Sequence, residues 1–265
     1  MKERSGSIRA KLLPAGAFCL IIMIWWGLSA SGAVPGYMLP SPADVAGAFI
    51  RDFSNLMTHA VVSVREAVYG LLIGAALAFV LACVMDRFLM MEEAVMPLLV
   101  VTQTIPTIAI APLLVLWMGF GMEPKITLVV ITTFFPIAVG LLDGFKSADP
   151  DTIALLRSMN ATRLQIFRHI KMAAALPYFF SGLRISASYA VVAAVISEWL
   201  GGFEGLGVYM TRVRKAFAFD KMFAVILLIV LVSLLLMIAV NLIRNLSMPW
   251  LKYRSEKAGQ TGWRQ

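Results

Sequence analysis

The sequence predicts an all-α polytopic membrane protein with about six transmembrane helices, and two observations carry this prediction. Of the 265 residues, 60% are hydrophobic and only 14% are charged, whereas a soluble domain is about half apolar and a quarter charged. Six apolar stretches are also long enough to cross a bilayer, which takes roughly 20 residues. The loops that remain are too short for a separate catalytic or nucleotide-binding domain. We therefore expect one transmembrane domain over residues 1–265.

The six predicted spans follow one another at residues 12–34, 61–85, 94–118, 126–145, 178–200 and 222–245. The last of them is the clearest, because residues 224–243 within it carry no charge. The first has basic residues before its apolar run and small residues after it, so a cleaved signal peptide is the alternative. Removing that segment would leave an odd number of spans, and we interpret it as a retained first span.

The third span is interrupted by Pro97, Pro106 and Pro112. Each proline removes a backbone donor, and lipid offers nothing to replace the lost hydrogen bond. We therefore expect this span to lie inside protein or beside a water-filled path, and not against lipid.

The distribution of positive charge predicts the orientation. With the amino terminus inside, most lysines and arginines fall on cytoplasmic segments, as in bacterial inner-membrane proteins. Both termini are then cytoplasmic. The basic cluster from Arg212 to Lys215 lies on the outer side and is an exception to this rule.

The most informative segment is the predicted cytoplasmic loop at 146–177. Asp149 is a good N-cap, so a helix should begin directly after it. Asn160 tolerates the left-handed conformation that ends a helix. Thr162 and Gln165 have the spacing of a capping box, which starts a second helix. We expect two short helices joined by a tight turn.

Three roles fit such a pair of helices. A DNA reader of helix-turn-helix type is disfavoured because the loop is tethered between two spans, and we expect no nucleic-acid partner. An amphipathic loop on anionic lipid is a second possibility. The third is a rigid docking element for a soluble partner, which is the interpretation we favour.

The loop resembles the EAA-type loop of binding-protein-dependent ABC transporter permeases, whose pattern is E-A-A-x-x-x-G followed by a helix and a proline. The residues in register with that pattern are Ala154, Leu155, Leu156, Asn160, Ala161, Thr162, Phe167, Ile170 and Pro177. Ala154 replaces the usual glutamate, and Asn160 replaces the usual glycine. Asparagine is the next-best residue for a left-handed turn, so the turn should be kept.

Other segments resemble one branch of that family, the permeases for sulfonates, taurine, nitrate and thiamine precursors. These segments are Met38–Val45, Thr104–Gly121, Phe134–Gly144 and Ile196–Met210. The resemblance implies a type I ABC importer permease fold and a chain that is not an enzyme. It implies a permease homodimer in the bilayer, a dimer of cytoplasmic ABC ATPase subunits and an extracytoplasmic solute-binding protein. The chain has no G-x-x-x-x-G-K-[ST] phosphate loop, so ATP would be bound and hydrolysed by the partner, and no cofactor is expected here.

The resemblance assigns ATPase coupling to Ala154, Leu155, Leu156, Arg157, Asn160, Ala161, Thr162 and Phe167. For the translocation path, the candidates are the polar residues of the predicted spans: Gln103, Thr104, Thr107, Thr132, Thr133, Ser188, Tyr189 and Glu198. Each hydroxyl can instead make a helix-packing bond, and Glu198 can be an ordinary solvated residue at the membrane interface.

The predicted path has hydroxyls and an amide but no obvious carboxylate within the spans, which favours a small polar organic solute over a cation. The resemblance around Gln103–Thr107 favours a thiamine-precursor pyrimidine or a related vitamin-like heterocycle. Aliphatic sulfonates, taurine and nitrate are the alternatives. An ion-coupled secondary transporter is the rival class, and it would place a carboxylate deep in a span.

Overall fold

The computed structural model describes residues 3–200 and 202–249, with side chains from residue 13 onward. The helices are α1 (Glu3–Ala30), α2 (Pro42–Arg51), α3 (Phe53–Arg87), α4 (Leu89–Thr104), α5 (Thr107–Met118), α6 (Glu123–Lys146), α7 (Pro150–Ser158), α8 (Arg163–Ile166), a π-helical turn (Phe167–Lys171), α9 (Met172–Leu200), α10 (Leu206–Lys215) and α11 (Phe219–Ser247). Four basic residues that the predicted orientation places on the cytoplasmic side, Lys252, Arg254, Lys257 and Arg264, lie outside the described residues.

The predicted number and order of spans are confirmed. Five helical segments are long and apolar enough to cross a membrane: Leu13–Ala30, Phe53–Arg87, Glu123–Lys146, Arg163–Leu200 and Phe219–Ser247. The pair α4 and α5 forms a sixth if it is counted as one span, with a bend of 98° between its halves. The bend lies at Ile105 and Pro106, where the helix is interrupted.

The core of the bundle is the pair α6 and α9, against which α3 and α11 also pack. Small residues let α6 and α9 approach closely, as is common between membrane helices. A Cβ added to Gly182 would lie 2.5 Å from the Pro136 carbonyl oxygen, and one added to Gly144 would lie 2.6 Å from the Ala175 Cα. The Ser186 hydroxyl donates to the Thr133 carbonyl at 2.8 Å and links the same two helices.

The third span is only partly packed inside the single chain. Leu99, Ala111, Leu114 and Val115 are buried, but most other residues of α4 and α5 are exposed. The break before Pro106 turns the two halves apart, so each half packs on the bundle along one narrow edge. The alternative prediction, that this span borders an open path, agrees with the cavity described below.

The prediction of a second short helix in the loop at 146–177 is wrong. Its start at Arg163 is confirmed, but the helical segment continues without a break through the fifth span to Leu200. Pro177 lies inside α9 and does not end it. A proline removes one backbone hydrogen bond from the helix. The extensive packing of α9 along α6 stabilises the helix by more than this loss. The fifth span therefore begins earlier than residue 178.

Candidate functional site

The cytoplasmic hairpin, as we name residues 149–166 after their predicted side of the membrane, is built from local signals. The Asp149 carboxylate accepts hydrogen bonds from the amides of Asp151 and Thr152, each at 3.2 Å. The Thr152 hydroxyl also donates to it and, as the main cause, holds the pKa of Asp149 below its ordinary value. Helix α7 therefore begins with a firm cap and needs no contact with the bundle to do so.

The turn at the other end of α7 is the predicted left-handed one. Asn160 has φ 59°. Its amide donates to the Arg157 carbonyl at 3.0 Å, and the Ala161 amide donates to the Leu156 carbonyl at 2.9 Å. These two bonds form a Schellman motif, which satisfies the last carbonyls of the helix. The capping box of Thr162 and Gln165 is present immediately afterwards.

The hairpin presents an uncovered apolar surface, because no residue of α7 is buried. Leu155 is 61% exposed, Met159 is 69% exposed and Leu164 is 73% exposed. Sequence reasoning found Leu155 but missed Met159 and Leu164. The spacing of Leu155 and Met159, four residues apart on one helix face, was the available signal. Three exposed apolar side chains on a capped hairpin are suited to bind a protein partner.

The predicted coupling residues divide into an exposed and a half-buried group. Ala154, Leu155, Arg157, Asn160 and Thr162 are exposed. Leu156, Ala161 and Phe167 are half-buried. The Phe167 ring packs on that of Phe145 at the end of α6, with ring centroids 5.2 Å apart, so this residue anchors the hairpin to the bundle.

Two ion pairs connect the base of the hairpin to helices outside it. Lys171 Nζ lies 2.6 Å from Asp86 Oδ1 near the inner end of α3. Lys146, at the end of α6, pairs with Glu92 on α4. Through these contacts α3 and α4 are tied to the same base as α6 and α9.

A cavity of about 290 Å³ opens between the α4–α5 bend, α6 and α9. Four predicted path residues line it: Gln103, Thr107, Thr132 and Tyr189. Thr102 and apolar residues complete the wall, and no charged residue contributes to it. Its volume is that of a small-ligand pocket, where apolar walls and a few polar groups are usual.

The other four predicted path residues lie elsewhere. Thr104 and Ser188 do not line the cavity. Thr133 is fully buried, and its hydroxyl donates to the Val129 carbonyl of its own helix at 2.8 Å. This is the helix-packing role that was left open for each hydroxyl. Glu198 belongs to a separate cluster at the end of the bundle that is predicted to face outward.

The outer cluster, residues His59, Ser63, Glu66, Lys125 and Glu198, contradicts the expectation that the spans lack carboxylates. Glu66 is 0% exposed, Glu198 is 1% exposed and Lys125 is 4% exposed. Lys125 Nζ lies 2.8 Å from Glu66 Oε1. The sequence did not identify Glu66 as part of a buried cluster, because its ion-pair partner Lys125 lies 59 positions away in the chain. Nor does Glu198 have the interfacial solvation that was considered for it.

The outer cluster also holds the start of α10. Helix α10 has no side-chain cap of its own, and the amides of residues 205–207 donate to the cluster instead. In chain order they donate to His59 Nδ1 at 3.0 Å, Ser63 Oγ at 2.8 Å and Glu198 Oε2 at 2.6 Å. The Ser63 hydroxyl in turn donates to Glu198 Oε1 at 2.6 Å. The helix is thus capped by α3 and α9.

Residues 70–253 match the model of a family described as binding-protein-dependent transport system inner membrane component. The chain belongs to this family. It is therefore a multi-pass inner-membrane component of a transport system, a permease and not an enzyme. An ion-coupled secondary transporter is set aside by the same match.

Relatives of the permease agree with this assignment. A probable ABC transporter permease of Haemophilus influenzae is 35% identical, over 84% of this chain and 91% of its own. The formylaminopyrimidine transport permease ThiX of Halalkalibacterium halodurans is 37% identical, over 89% and 94%. The riboflavin transport permease RibX of Chloroflexus aurantiacus is 30% identical, over 87% of each chain. Permeases named for aliphatic sulfonates and taurine are similar at 28% and 24% identity.

Solved structures show the fold of the permease. An amino acid ABC transporter aligns with a TM-score of 0.59 at 12% identity, over 75% of this chain and 94% of that one. The inward-facing MetNI methionine ABC transporter aligns with a TM-score of 0.56 at 19% identity, over 72% and 93%. The predicted all-α fold of a type I ABC importer permease is confirmed.

Proposed function

We propose that this permease imports a thiamine-precursor pyrimidine or a related vitamin-like heterocycle. The observation that carries the proposal is the uncharged cavity wall, where Gln103 offers hydrogen bonds and Tyr189 offers a ring. The Thr132 hydroxyl donates to the Val129 carbonyl of its own helix, and its oxygen can accept a bond from the solute. A neutral heterocycle needs such contacts, whereas a sulfonate or nitrate anion is better held by arginine or lysine. The similarity to permeases named for formylaminopyrimidine and riboflavin supports the same solute class.

Energy enters through the cytoplasmic hairpin in this proposal. A dimer of ABC ATPase subunits binds the apolar surface of Leu155, Met159 and Leu164, and all ATP chemistry takes place in those subunits. Because both ends of α7 are capped, the helix moves as a rigid body when the ATPase dimer closes. The Lys171–Asp86 and Lys146–Glu92 pairs pass that motion to α3 and α4.

The exposed surfaces of the chain support the rest of the proposed assembly. The whole chain is one transmembrane unit with both termini cytoplasmic, and a second copy covers the exposed apolar faces of α4 and α5. The exposed side of α10 carries Arg212, Arg214 and Lys215 on the outer face. We assign this basic face to the binding protein that delivers the solute, which accounts for the exception to the charge rule.

Uptake in cells tests the solute class. The permease is expressed with its ATPase and binding protein in a host that lacks its own importers, and uptake of labelled formylaminopyrimidine, taurine and an alkanesulfonate is measured. We expect uptake of the pyrimidine alone. Preferential uptake of taurine or of the sulfonate would overturn the proposal.

Two variants test whether this cavity is the translocation path. Gln103→Leu removes a polar group of the cavity wall and is expected to lower pyrimidine uptake several-fold. Thr104→Val changes the neighbouring residue, which lies outside the cavity, and should leave uptake unchanged. Equal effects of the two substitutions would count against this cavity as the path.

A further inference from the structure

The outer cluster contains more acidic than basic groups. Two carboxyl groups, Glu66 and Glu198, are fully buried beside a single ammonium group, that of Lys125. Lys125 Nζ is bonded to Glu66 Oε1, and its further contact is the Glu204 backbone carbonyl at 3.5 Å. A second ionised carboxylate in this place would be a buried charge without a counter-ion, which is very costly.

The hydrogen bonds of the two carboxyl groups differ in completeness. Both oxygens of Glu198 accept a bond, one from Ser63 and one from the Gly207 amide. Glu66 Oε2 is buried and has no donor among the residues that the structure describes. The two carboxyl groups belong to one buried cluster, because Glu66 lies one helical turn after Ser63, whose hydroxyl donates to Glu198. Two ionised carboxylates cannot bond each other, because neither has a proton to donate.

We propose that Glu66 and Glu198 share one proton, which makes the outer cluster a neutral unit and keeps α10 seated on the bundle. One carboxyl group donates the shared proton to the other, so Glu66 Oε2 gains its missing hydrogen bond. The remaining negative charge is balanced by Lys125. This inference goes beyond the transport function and does not rest on the identity of the solute.

The position of α10 depends on the carboxyl pair, because the backbone at the start of α10 lies very close to Glu198. Gly205 has φ 117°, a region that favours glycine. A Cβ added there would lie 2.2 Å from the Glu198 carboxyl carbon, and one added to Gly207 would lie 2.2 Å from the Val195 carbonyl oxygen. The backbone of residues 205–207 therefore lies directly against Glu198 and α9, so a displacement of Glu198 also displaces the start of α10. Loss of the proton leaves two like charges in contact, and their repulsion pushes Glu198 away from the Gly207 amide.

Other charged groups near the pair do not replace the proton. On α3, His59 faces the cluster, but its Nδ1 accepts from Gly205 and so carries no proton on that atom. Arg212 of α10 donates to the Phe203 carbonyl at 2.7 Å. Asp52, at the start of α3, is bonded to Tyr209, and this bond holds the pKa of Asp52 below its ordinary value. Lys125 alone supplies positive charge inside the cluster of described side chains.

Glu66→Gln is the decisive variant because it replaces the proton with a fixed donor. The glutamine oxygen can accept from Lys125, and its amide group can donate to an ionised Glu198. The cluster then stays neutral and fully bonded without a titrating proton. Glu66→Ala removes both contacts, and Glu93→Gln, at an exposed position, controls for the loss of one acidic residue.

Denaturant titrations of the purified full-length permease in nanodiscs test the proposal. They measure its unfolding at a series of pH values from about 6 to 9. The wild-type folded state holds one proton more than the unfolded state, so its unfolding constant should rise by up to about tenfold per pH unit. We expect Glu93→Gln to keep that slope, Glu66→Gln to flatten it without loss of stability, and Glu66→Ala to be destabilised throughout. Equal slopes for wild type and Glu66→Gln, or equal damage from Gln and Ala, would overturn the proposal.

Two further measurements address the proton and α10 directly. In infrared difference spectra, wild type should show the carbonyl stretch of a protonated carboxyl group, and Glu66→Gln should lack it. A thiol introduced by Val213→Cys, at a buried position of α10, should react faster with maleimide as pH rises in wild type but not in Glu66→Gln. A missing band in wild type, or pH-independent labelling, would contradict the shared proton or its role in seating α10.

Discussion

The two ends of the permease are built in opposite ways. The cytoplasmic hairpin is exposed and is shaped by hydrogen bonds between residues at most five positions apart, such as the Ala161 amide to the Leu156 carbonyl. The outer cluster is buried, and its bonds join residues far apart in sequence, such as Ser63 and Glu198, 135 positions from each other. The hairpin is shaped by its own local hydrogen bonds, whereas the outer cluster forms only when three helices come together.

This difference indicates what each end can do. A hairpin that keeps its shape without covering contacts can meet a partner, bind it and be pushed without unfolding. A buried charged cluster is poorly suited to binding, but breaking it is costly, and so it fixes how the spans meet. We expect substitutions in the outer cluster to affect stability first, and substitutions in the hairpin to affect coupling first.

The largest effect is expected from Lys125→Met. Removing the ammonium group leaves two buried carboxyl groups without a cation, and breaking a buried pair in this way costs about 3–5 kcal/mol. The yield of folded permease and its thermal unfolding midpoint measure the loss. Lys215→Met removes an exposed lysine of α10 and should be nearly neutral. Similar midpoints for the two variants would argue against the outer cluster as a fixing point.

A smaller loss of stability is expected from Gly182→Ala, at the α6–α9 contact. Its Cβ would lie 2.5 Å from the Pro136 carbonyl oxygen, so the helices must separate, at a cost of about 1–3 kcal/mol. Gly27→Ala in α1 is the matched control, because nothing lies within 4 Å of its added Cβ. The prediction fails if both variants unfold at the temperature of the wild type.

Asn160→Val should act on coupling more than on folding. Valine pays about 1–2 kcal/mol or more for the left-handed conformation at φ 59°, and the turn that orients α7 is weakened. We expect reduced recovery of the ATPase in a pull-down, with little change in unfolding midpoint. Asn160→Gly suits the same turn and should bind the ATPase normally. Normal recovery with Asn160→Val would show that the turn does not orient the docking surface.

The smallest effect is expected from acid on the cap of α7. Because the pKa of Asp149 is lowered in the folded state, its stabilising contribution is present at neutral pH and is lost as pH falls through the lowered value. Hydrogen exchange at the α7 amides should therefore show more opening at low pH than intrinsic rates explain. Asp149→Asn keeps a cap that does not titrate, and it should remove that pH dependence. An unchanged pH dependence in this variant would assign the effect to another group.

Local features of the hairpin could be predicted from the sequence. The cap at Asp149, the left-handed turn at Asn160 and the capping box at Thr162 depend on residue types at fixed short spacings, and all three are confirmed. The length of the following helix was not predicted, because the proline at 177 suggested an end. Packing against α6 overrides that local signal.

The outer cluster could not be predicted in the same way. Glu66, Lys125 and Glu198 lie on three different helices, and no pattern of spacing in the chain indicates that they meet. A charged residue within an apolar span is the available signal, and it identifies Glu66 as a candidate but not its partner. The cavity is intermediate, since the sequence identified Gln103, Thr107, Thr132 and Tyr189 but did not separate them from other polar residues that lie elsewhere, namely Thr104, Thr133 and Ser188.

We propose that the ATPase engages the exposed apolar surface of the hairpin, and Leu155→Asp tests this proposal most directly. Leu155 is mostly exposed, so the charge should not disturb folding, and Leu155→Met is the conservative control. The measurement is ATP-driven solute uptake by proteoliposomes that contain permease, ATPase and binding protein. We predict that Leu155→Asp abolishes uptake and ATPase recovery while Leu155→Met retains both. Full uptake with Leu155→Asp in a normally folded permease would contradict the claim.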